Sequence, residues 1–131
     1  MPRILVTGLP NRLQGNELLR DRLVTAIPLA VENTEGFGIS RDHVFVHAIP
    51  SLVDERTVVA FTIEGLLAKP GRTAEMRRAL CDAVANALAI FLDRVQVPYD
   101  SIVGWCVQTN LYEDGCVRRP GRPPLESEER N

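Results

Sequence analysis

The feature that most constrains the fold is a pattern that occurs twice: an apolar strand, an amphipathic helix and a second strand. The first unit covers residues 2–50 and the second covers residues 57–110. A helix that joins two neighbouring parallel strands forms a βαβ unit. The sequence therefore predicts a βαββαβ chain of class α+β, with a four-stranded sheet and two helices on one of its faces.

The four predicted strands are runs of aliphatic and β-branched residues that end at proline, glycine or asparagine. They are residues 3–9, 43–49, 57–67 and 101–109. The third run is the longest, and we expect it to cross the middle of the sheet.

The two predicted helices differ in how clearly the sequence marks them. In the first, apolar residues recur at helical spacing from about Gln14. Asn11 or Asn16 could cap its start, and we expect Pro28 to kink or end it. The second helix has the strongest periodicity in the chain, and Thr73 stands where an N-cap belongs. Its apolar face consists of Met76, Leu80, Ala83, Val84, Ala87, Leu88 and Phe91.

Length, charge and cysteine content narrow the class of protein. A chain of 131 residues suits one domain, and a net charge of -2 argues against a phosphate-backbone partner. No run in the sequence approaches the roughly 18 consecutive apolar residues of a transmembrane helix. Three cysteines without CxxC spacing fit a reducing compartment and argue against a zinc site. We therefore expect a cytoplasmic protein with no nucleic-acid or membrane partner.

The two histidines lie on one predicted strand face. His43 and His47 are four residues apart, which separates them by about 13 Å along a strand. Two bonds of about 2.0 to 2.1 Å to one zinc ion cannot span that distance, and a third ligand is missing. We expect no metal site.

The last stretch, residues 118–131, combines proline, glutamate and arginine and has no apolar face to bury. The sequence predicts a polar tail outside a domain of residues 1–117. The arginines at 118, 119 and 122 could contact an anionic partner, although mixed charge of this kind is typical of a solvated tail.

Two motifs give the chain a resemblance to a known superfamily. Met1-Pro2 stands directly before an aliphatic strand, and Gly71-Arg72-Thr73 stands between a strand and a helix. Up to about Val117 the chain resembles the tautomerase superfamily, which includes 4-oxalocrotonate tautomerase and macrophage migration inhibitory factor. The resemblance implies removal of the initiator methionine, catalysis by the exposed proline amine, no cofactor and a homotrimer. Residues 112–115 resemble an uncharacterised branch, which leaves the substrate open.

Within that resemblance Pro2 is the catalytic base and Arg72 is its catalytic partner. An α-amino group titrates at about 7.7 to 8.0, and an apolar pocket lowers its pKa by disfavouring the charged form. A guanidinium binds a carboxylate and stabilises negative charge that develops on an enolate oxygen. We expect a tautomerase-like isomerase that moves a proton on a small 2-oxo or enol carboxylic acid.

Three cationic or polar residues are further candidates for substrate binding. Lys69 takes the place of a second cation in the dehalogenase-like members of the superfamily. Thr73, at a helix N-terminus, would complete a carboxylate cradle with Arg72. Arg12 lies as far beyond Pro2 as the substrate arginine of the short tautomerases, although Asn11 replaces the glycine that precedes it there.

Two more candidates have competing interpretations. Trp105, with Phe45, would line an apolar pocket beside the amine, although an aromatic residue on a strand is more often part of the core. Glu113 corresponds to the acid that activates water in the hydrolytic dehalogenases, although acids in loops are usually only solvated.

Two alternative functions remain open from the sequence. The first is a cofactor-free decarboxylase or dehalogenase of the same fold, in which a cationic Pro2 acts as an acid and Glu113 handles water. The second is a non-catalytic oligomeric binding module, because fold alone does not fix function.

Overall fold

The computed structural model describes residues 2–10, 13, 16–49, 58–66, 73–108, 111–112 and 117–122. Within these residues the elements follow one another as β1 (Arg3–Thr7), α1 (Glu17–Glu32), β2 (Phe45–Ile49), β3 (Val58–Leu66), α2 (Ala74–Arg94), β4 (Tyr99–Gln108), β5 (Leu111–Tyr112) and β6 (Val117–Arg122). A 3-10 turn at Arg41–His43 precedes β2. The first six elements confirm the predicted βαββαβ order.

The sheet has the strand order β2-β1-β3-β4, and both β5 and β6 pair with β4. The β1–β2 and β3–β4 pairs are parallel, whereas the central β1–β3 pair is antiparallel. Two βαβ units therefore lie side by side and run in opposite directions. As expected, β3 lies in the middle of the sheet.

The strand pairing shows how closely the two halves match. Arg3 pairs with Phe45, 42 positions later, and Val58 pairs with Ser101, 43 positions later. The same strand, helix and strand spacing is thus repeated almost without change, as expected for a duplicated unit.

The core lies between the two helices and one face of the sheet. It is aliphatic, and a fully buried side chain of this kind contributes about 1.5 to 3 kcal/mol. Its fully buried members in the sheet and helices include Ile4, Val6, Ile63, Ile27, Leu80, Val84 and Leu88. Phe61 is also fully buried, and its ring lies where a side chain at Gly104 would be. Gly104 therefore makes room for Phe61.

The opposite face of the sheet carries the alternate residues of each strand. Arg3 and Leu5 of β1 lie there, since Ile4 and Val6 point to the helices. Phe45, Ile49 and Trp105 are on this face and are 49%, 41% and 38% exposed. We call this surface the open face, because the two helices cover only the other side.

Both helices begin at the caps that the sequence offers. Asn16 caps α1, and its Oδ1 accepts a hydrogen bond from the backbone N–H of Leu19 at 3.1 Å. Thr73 caps α2 as predicted, and its Oγ1 accepts from the N–H of Met76 at 3.2 Å. Side-chain acceptors at these positions satisfy backbone donors that have no partner inside the helix.

Pro28 does not end the first helix, because α1 continues through it to Glu32. Pro28 is buried, and so are Ile27 and Val31 beside it. Packing of this apolar face against the sheet compensates for the backbone hydrogen bond that proline cannot donate.

The prediction of a tail from residue 118 was wrong for its first part. Residues 117–122 form β6, which pairs antiparallel with β4 from Gly104–Val117 to Tyr99–Arg122. Pro120 is compatible with an edge strand, whose outer side needs no donor. Local composition missed β6 because its proline, glycine and arginines are typical of a loop. Residues 123–131 lie outside the described part of the chain.

Candidate active site

Parts of both halves meet at one end of the sheet, which we call the proline end and define by Pro2, Phe45, Leu66 and Thr73. β1 and β2 begin there, and the backbone N–H of Phe45 donates to the carbonyl oxygen of Pro2 at 3.2 Å. β3 ends there, because it is antiparallel to β1 and places Glu64 opposite Arg3. The first strand of one half thus starts where the first strand of the other half ends.

The helix of the second half also begins at the proline end. β3 and β4 are parallel and α2 joins them, so α2 runs back from the proline end towards the start of β4. Thr73 is exposed, and its hydroxyl caps the helix. The first-turn N–H groups and the helix dipole make such a terminus favourable for an anion.

Pro2 is buried. By the alternation along β1 it lies on the side of Ile4 and Val6, which face the helices.

An ion pair at the proline end was missed by the sequence analysis. Arg3 Nη2 lies 2.8 Å from Glu64 Oε1, across the antiparallel β1–β3 pair and on the open face. Both side chains are partly exposed, so the pair contributes at most about 1 kcal/mol. It nevertheless ties the residue after Pro2 to the end of β3. The sequence alone does not predict this ion pair, because the contact of Arg3 with Glu64 depends on the pairing of β1 with β3.

Several predicted site residues lie outside the described part of the chain: Arg72, Lys69, Arg12 and Glu113. Their described neighbours still set limits. Arg72 directly precedes Thr73 at the proline end, and Lys69 lies between Leu66 and Thr73 in the sequence. Both therefore lie, in sequence, between the end of β3 and the cap of α2.

The described neighbours of Arg12 lie at a different end of the sheet. Arg12 lies in sequence between Pro10 and Leu13, and the N–H of Leu13 donates to the carbonyl of Pro10 at 3.0 Å. Both neighbours follow Thr7, where β1 ends. We call this the opposite end and define it by Thr7, Val58 and Tyr99. A strand of five residues, about 16 Å long, separates it from Pro2.

Trp105 lies on the open face, where it pairs with Thr62 and is 38% exposed. Phe45 lies on the same face. Pro2 lies on the helix side, so within one chain the sheet separates these aromatic side chains from it. A role for Trp105 in a substrate pocket remains a prediction.

The described residues contain no group of three or more histidine, cysteine, aspartate or glutamate side chains that could hold a metal ion. His43 lies in the 3-10 turn before β2 and not on the strand that carries His47, so the predicted shared strand face was wrong. In the same part of the chain, neither helix has the length and apolar character needed to cross a membrane.

No protein-family model matches this chain, and no curated protein matches it in sequence. Solved structures match it in fold. 5-carboxymethyl-2-hydroxymuconate delta-isomerase superposes with a TM-score of 0.57 at 11% identity, over 82% of each chain. A fused 4-OT asymmetric trimer gives 0.54 at 18% identity, over 70% of this chain and 75% of that one.

A third structure, Pt0534 inactivated by 2-oxo-3-pentynoate, gives a TM-score of 0.51 at 18% identity, over 82% of this chain and 84% of that one. At sequence identities this low, the matches show similarity of fold alone. The mixed sheet with its two helices, together with these likenesses, shows that this chain has the fold of the tautomerase superfamily.

Proposed function

We propose that this protein catalyses proton transfer on a small 2-oxo or enol carboxylic acid, with the amine of Pro2 as general base after removal of Met1. One observation carries the proposal: a buried Pro2 at the head of β1 and the N-terminus of α2 occupy the same end of the sheet. A base near an anion-binding helix start suits the enolisation of a 2-oxo carboxylic acid, because the base takes the proton and the helix start favours the carboxylate.

In the proposed reaction the neutral amine takes a proton from the carbon beside the substrate carbonyl. The C–H bond breaks, an N–H bond forms, and the electron pair moves to the carbonyl oxygen. The resulting ammonium then returns the proton to oxygen or to another carbon. Positioned general base catalysis of this kind contributes about 10²- to 10⁴-fold. Starting from an enol, the same steps run in reverse.

Arg72 is the proposed partner of the amine. A guanidinium beside the start of α2 binds the substrate carboxylate in a bidentate way and stabilises the charge on the enolate oxygen. In this proposal Lys69 supplies a second positive charge, and the first-turn N–H groups beyond Thr73 complete the cradle. Support comes from the course of the chain, since residues 67–72 connect the end of β3 to the cap of α2.

We further propose that the protein is a homotrimer that buries the open face. Phe45, Ile49 and Trp105 are large apolar side chains left exposed on one sheet face, which is typical of an interaction surface. The fused 4-OT structure that resembles this chain is itself a trimer. In such an assembly, Arg12 and Trp105 reach a proline end only from a neighbouring copy.

The test combines intact mass spectrometry with kinetics. The purified protein should lack Met1 and should ketonise a generic enol such as phenylenolpyruvate, and Pro2→Ala should lose most of that activity. Pro10→Ala, a proline change at the opposite end, is the matched control and should retain it. A retained methionine in active protein would exclude Pro2 as the base. Undetectable turnover by protein with a free Pro2 would favour the non-catalytic module.

A further inference from the structure

A groove of about 920 Å³ lies between α1 and α2. We call it the interhelical groove and define it by the apolar residues that line it: Ala26, Leu29, Ala30, Ala83, Ala87 and Ile90. Its volume falls within the range of about 300 to 1,000 Å³ that is usual for small-molecule sites. Neither Pro2 nor Thr73 lines it, so the proposed proton transfer leaves it without a role.

The walls of the interhelical groove are apolar. Its half-buried members are the four alanines Ala26, Ala30, Ala83 and Ala87. Such short side chains leave open the space between two helices that larger residues would fill. Leu29 and Ile90 are large apolar side chains of the same lining, and they are 36% and 49% exposed. The groove therefore offers a long apolar surface to a ligand.

Two threonines in the lining do not change this character, because their hydroxyl groups already have partners. The hydroxyl of Thr25 donates to the carbonyl oxygen of Asp21 at 2.8 Å, and that of Thr34 donates to the carbonyl oxygen of Ala30 at 2.8 Å. Each hydroxyl is thus satisfied by backbone one turn earlier in the chain. A ligand need not supply a hydrogen bond to either threonine.

One end of the interhelical groove carries a net positive charge. α1 runs from the opposite end of the sheet to the proline end, and α2 runs the other way. Arg22 near the start of α1 and Arg94 at the end of α2 therefore line the same end, together with Asp21. No ion pair joins either arginine to another described residue. The lining at the other end, at Asn33 and Ala79, is uncharged.

The charge and the shape of the groove together define the ligand that it suits. On α1 the lining extends from Asp21 to Thr34, which is about 20 Å along the helix axis. One end has a net charge of one positive unit, and the walls beyond it are apolar. A molecule with a single negative charge at one end of an alkyl chain complements both properties.

A second copy of this chain is a poorer fit to the groove. Among the described residues of the two helices, the large exposed apolar side chains outside the groove are Leu18 and Val24. They are six positions apart on α1, which places them about 120° apart around the helix. They therefore form no ridge that could enter the groove of another copy.

We propose that the interhelical groove binds a free long-chain fatty acid. The alkyl chain lies along the four alanines, and the carboxylate lies between Arg22 and Arg94. Exposed ion pairs contribute little, so most of the affinity comes from the chain. Each methylene group that leaves water should tighten binding by about two- to fourfold. This site is independent of the proposed proton transfer.

Methyl NMR during titration with laurate, kept below its critical micelle concentration, tests the proposal. The methyl signals of Ala83, Ala87 and Ile90 should shift, and that of Thr73 at the proline end should not. Decanoate, which is two methylene groups shorter, should bind about 4- to 15-fold more weakly. Shifts confined to Thr73 would overturn the proposal, because they would place the carboxylate at the proline end. Groove signals that respond to phosphatidylglycerol vesicles but not to free laurate would overturn it in favour of a membrane surface.

The head group is tested with dodecyltrimethylammonium, which has an alkyl chain of similar length and a positive charge. Arg22→Gln combined with Arg94→Gln should weaken laurate binding about tenfold and should not weaken binding of the cation. Arg78→Gln is the matched control, because Arg78 is exposed on α2 outside the groove lining. Equal affinity of the unaltered protein for laurate and for the cation would overturn the proposal, since the arginines would then select nothing.

The position of the chain is tested by filling the groove. Ala83→Leu should abolish laurate binding, whereas Ala74→Leu, the same change at an exposed position of α2 outside the lining, should retain it. Urea denaturation shows whether each variant is folded. Unchanged laurate affinity in folded Ala83→Leu would overturn the proposal. If that variant does not fold, unchanged laurate affinity in the double arginine variant would overturn it.

Discussion

The two ends of the sheet are built from the same repeated unit, yet they carry different residues. At the proline end, Pro2 heads β1 and Thr73 caps the helix that follows β3. At the opposite end, Val58 heads β3, and the segment with Arg12 follows β1. Each half of the chain therefore contributes one part to each end.

The difference has a simple physical origin. Residue 58 lies inside the chain, so its nitrogen belongs to a peptide bond and has no basic lone pair. In the proposed mechanism the first strand of the repeat begins with a free amine, which requires removal of Met1. Duplication of a βαβ unit thus makes two similar ends, of which one can carry an N-terminal base. The antiparallel β1–β3 pair brings the helix start of the second half to that same end.

The opposite end differs in burial as well. Ser101 is the neighbour of Val58 in the parallel pair, and its Oγ is buried without a hydrogen-bond partner among the described residues. Phe45, which holds the matching place beside Arg3, is 49% exposed. The residue that pairs with the start of β3 is therefore buried, whereas the residue that pairs with the start of β1 is exposed to solvent.

The largest effect should come from blocking the amine at the proline end. A removable N-terminal extension that keeps the Pro2 nitrogen in an amide should lower kcat by about 10²- to 10⁴-fold, since the base is lost. Proteolytic release of the extension at Pro2 should restore the rate. Equal activity of the blocked and released forms, measured with the same enol substrate, would show that catalysis does not need a free amine at the proline end.

A somewhat smaller effect is expected from removing the charge that the second half contributes. Arg72→Ala should lower kcat/KM by about 10²- to 10³-fold, which is typical for the loss of one group that stabilises an oxyanion. Arg72→Lys should recover only part of it, because lysine lacks the bidentate fork. Arg12→Ala is measured beside it, as the change to a candidate arginine from the segment that follows β1. A larger loss from Arg12→Ala than from Arg72→Ala would mean that the site is completed by a neighbouring copy.

A stability difference between the two halves should follow from their cores. Phe61 pairs with Gly104 in the second half, where the first half pairs Val6 with Ala48. Gly104→Ala should destabilise the fold by about 1 to 3 kcal/mol, because its new methyl group meets the Phe61 ring. Ala48→Gly should cost no more than about 1 kcal/mol. Urea denaturation measures both, and an unchanged midpoint for Gly104→Ala would contradict the packing described.

The smallest expected effect comes from removing the cap of each helix, and it should distinguish the N-terminus of α2 from that of α1. Thr73→Ala and Asn16→Ala should each cost about 0.5 to 2 kcal/mol in unfolding free energy, since each removes a cap. Only Thr73→Ala should also raise KM, because α2 begins at the proline end and α1 begins at the opposite end. Matching kinetic changes in both variants would show that the loss is one of general stability.

Most of the fold could be predicted because its signals are local. The helical periodicity of residues 76–91 and the Thr73 cap are properties of consecutive residues, and the structure confirms both. The continuation of α1 through Pro28 depends on the burial of its apolar face, and β6 contains a proline, a glycine and three arginines that are typical of a loop, so local rules misjudged both. The alternation of side chains along β4 likewise shows which residues share a face of the sheet, but it does not show which of the two faces the helices cover.

The candidate site was predictable to a lesser degree. Pro2 and Arg72 were named because each stands in a recognisable motif, yet nothing in the sequence reveals that β1 and β3 are antiparallel neighbours. That pairing is what brings the start of α2 to the end of the sheet that holds Pro2, whereas β1 ends at the other end. For the same reason, the sequence does not predict on which face of the sheet Trp105 lies.

The measurement that tests the central claim most directly is the pH dependence of kcat/KM in protein shown by mass to begin at Pro2. If the neutral amine is the base, activity is full above its pKa and falls as the pH drops and the amine gains a proton. Burial of Pro2 places the midpoint of that fall at or below the range of about 7.7 to 8.0 seen for ordinary α-amino groups. Activity that instead falls as the pH rises through this range would contradict the account, because it would make the cationic amine an acid.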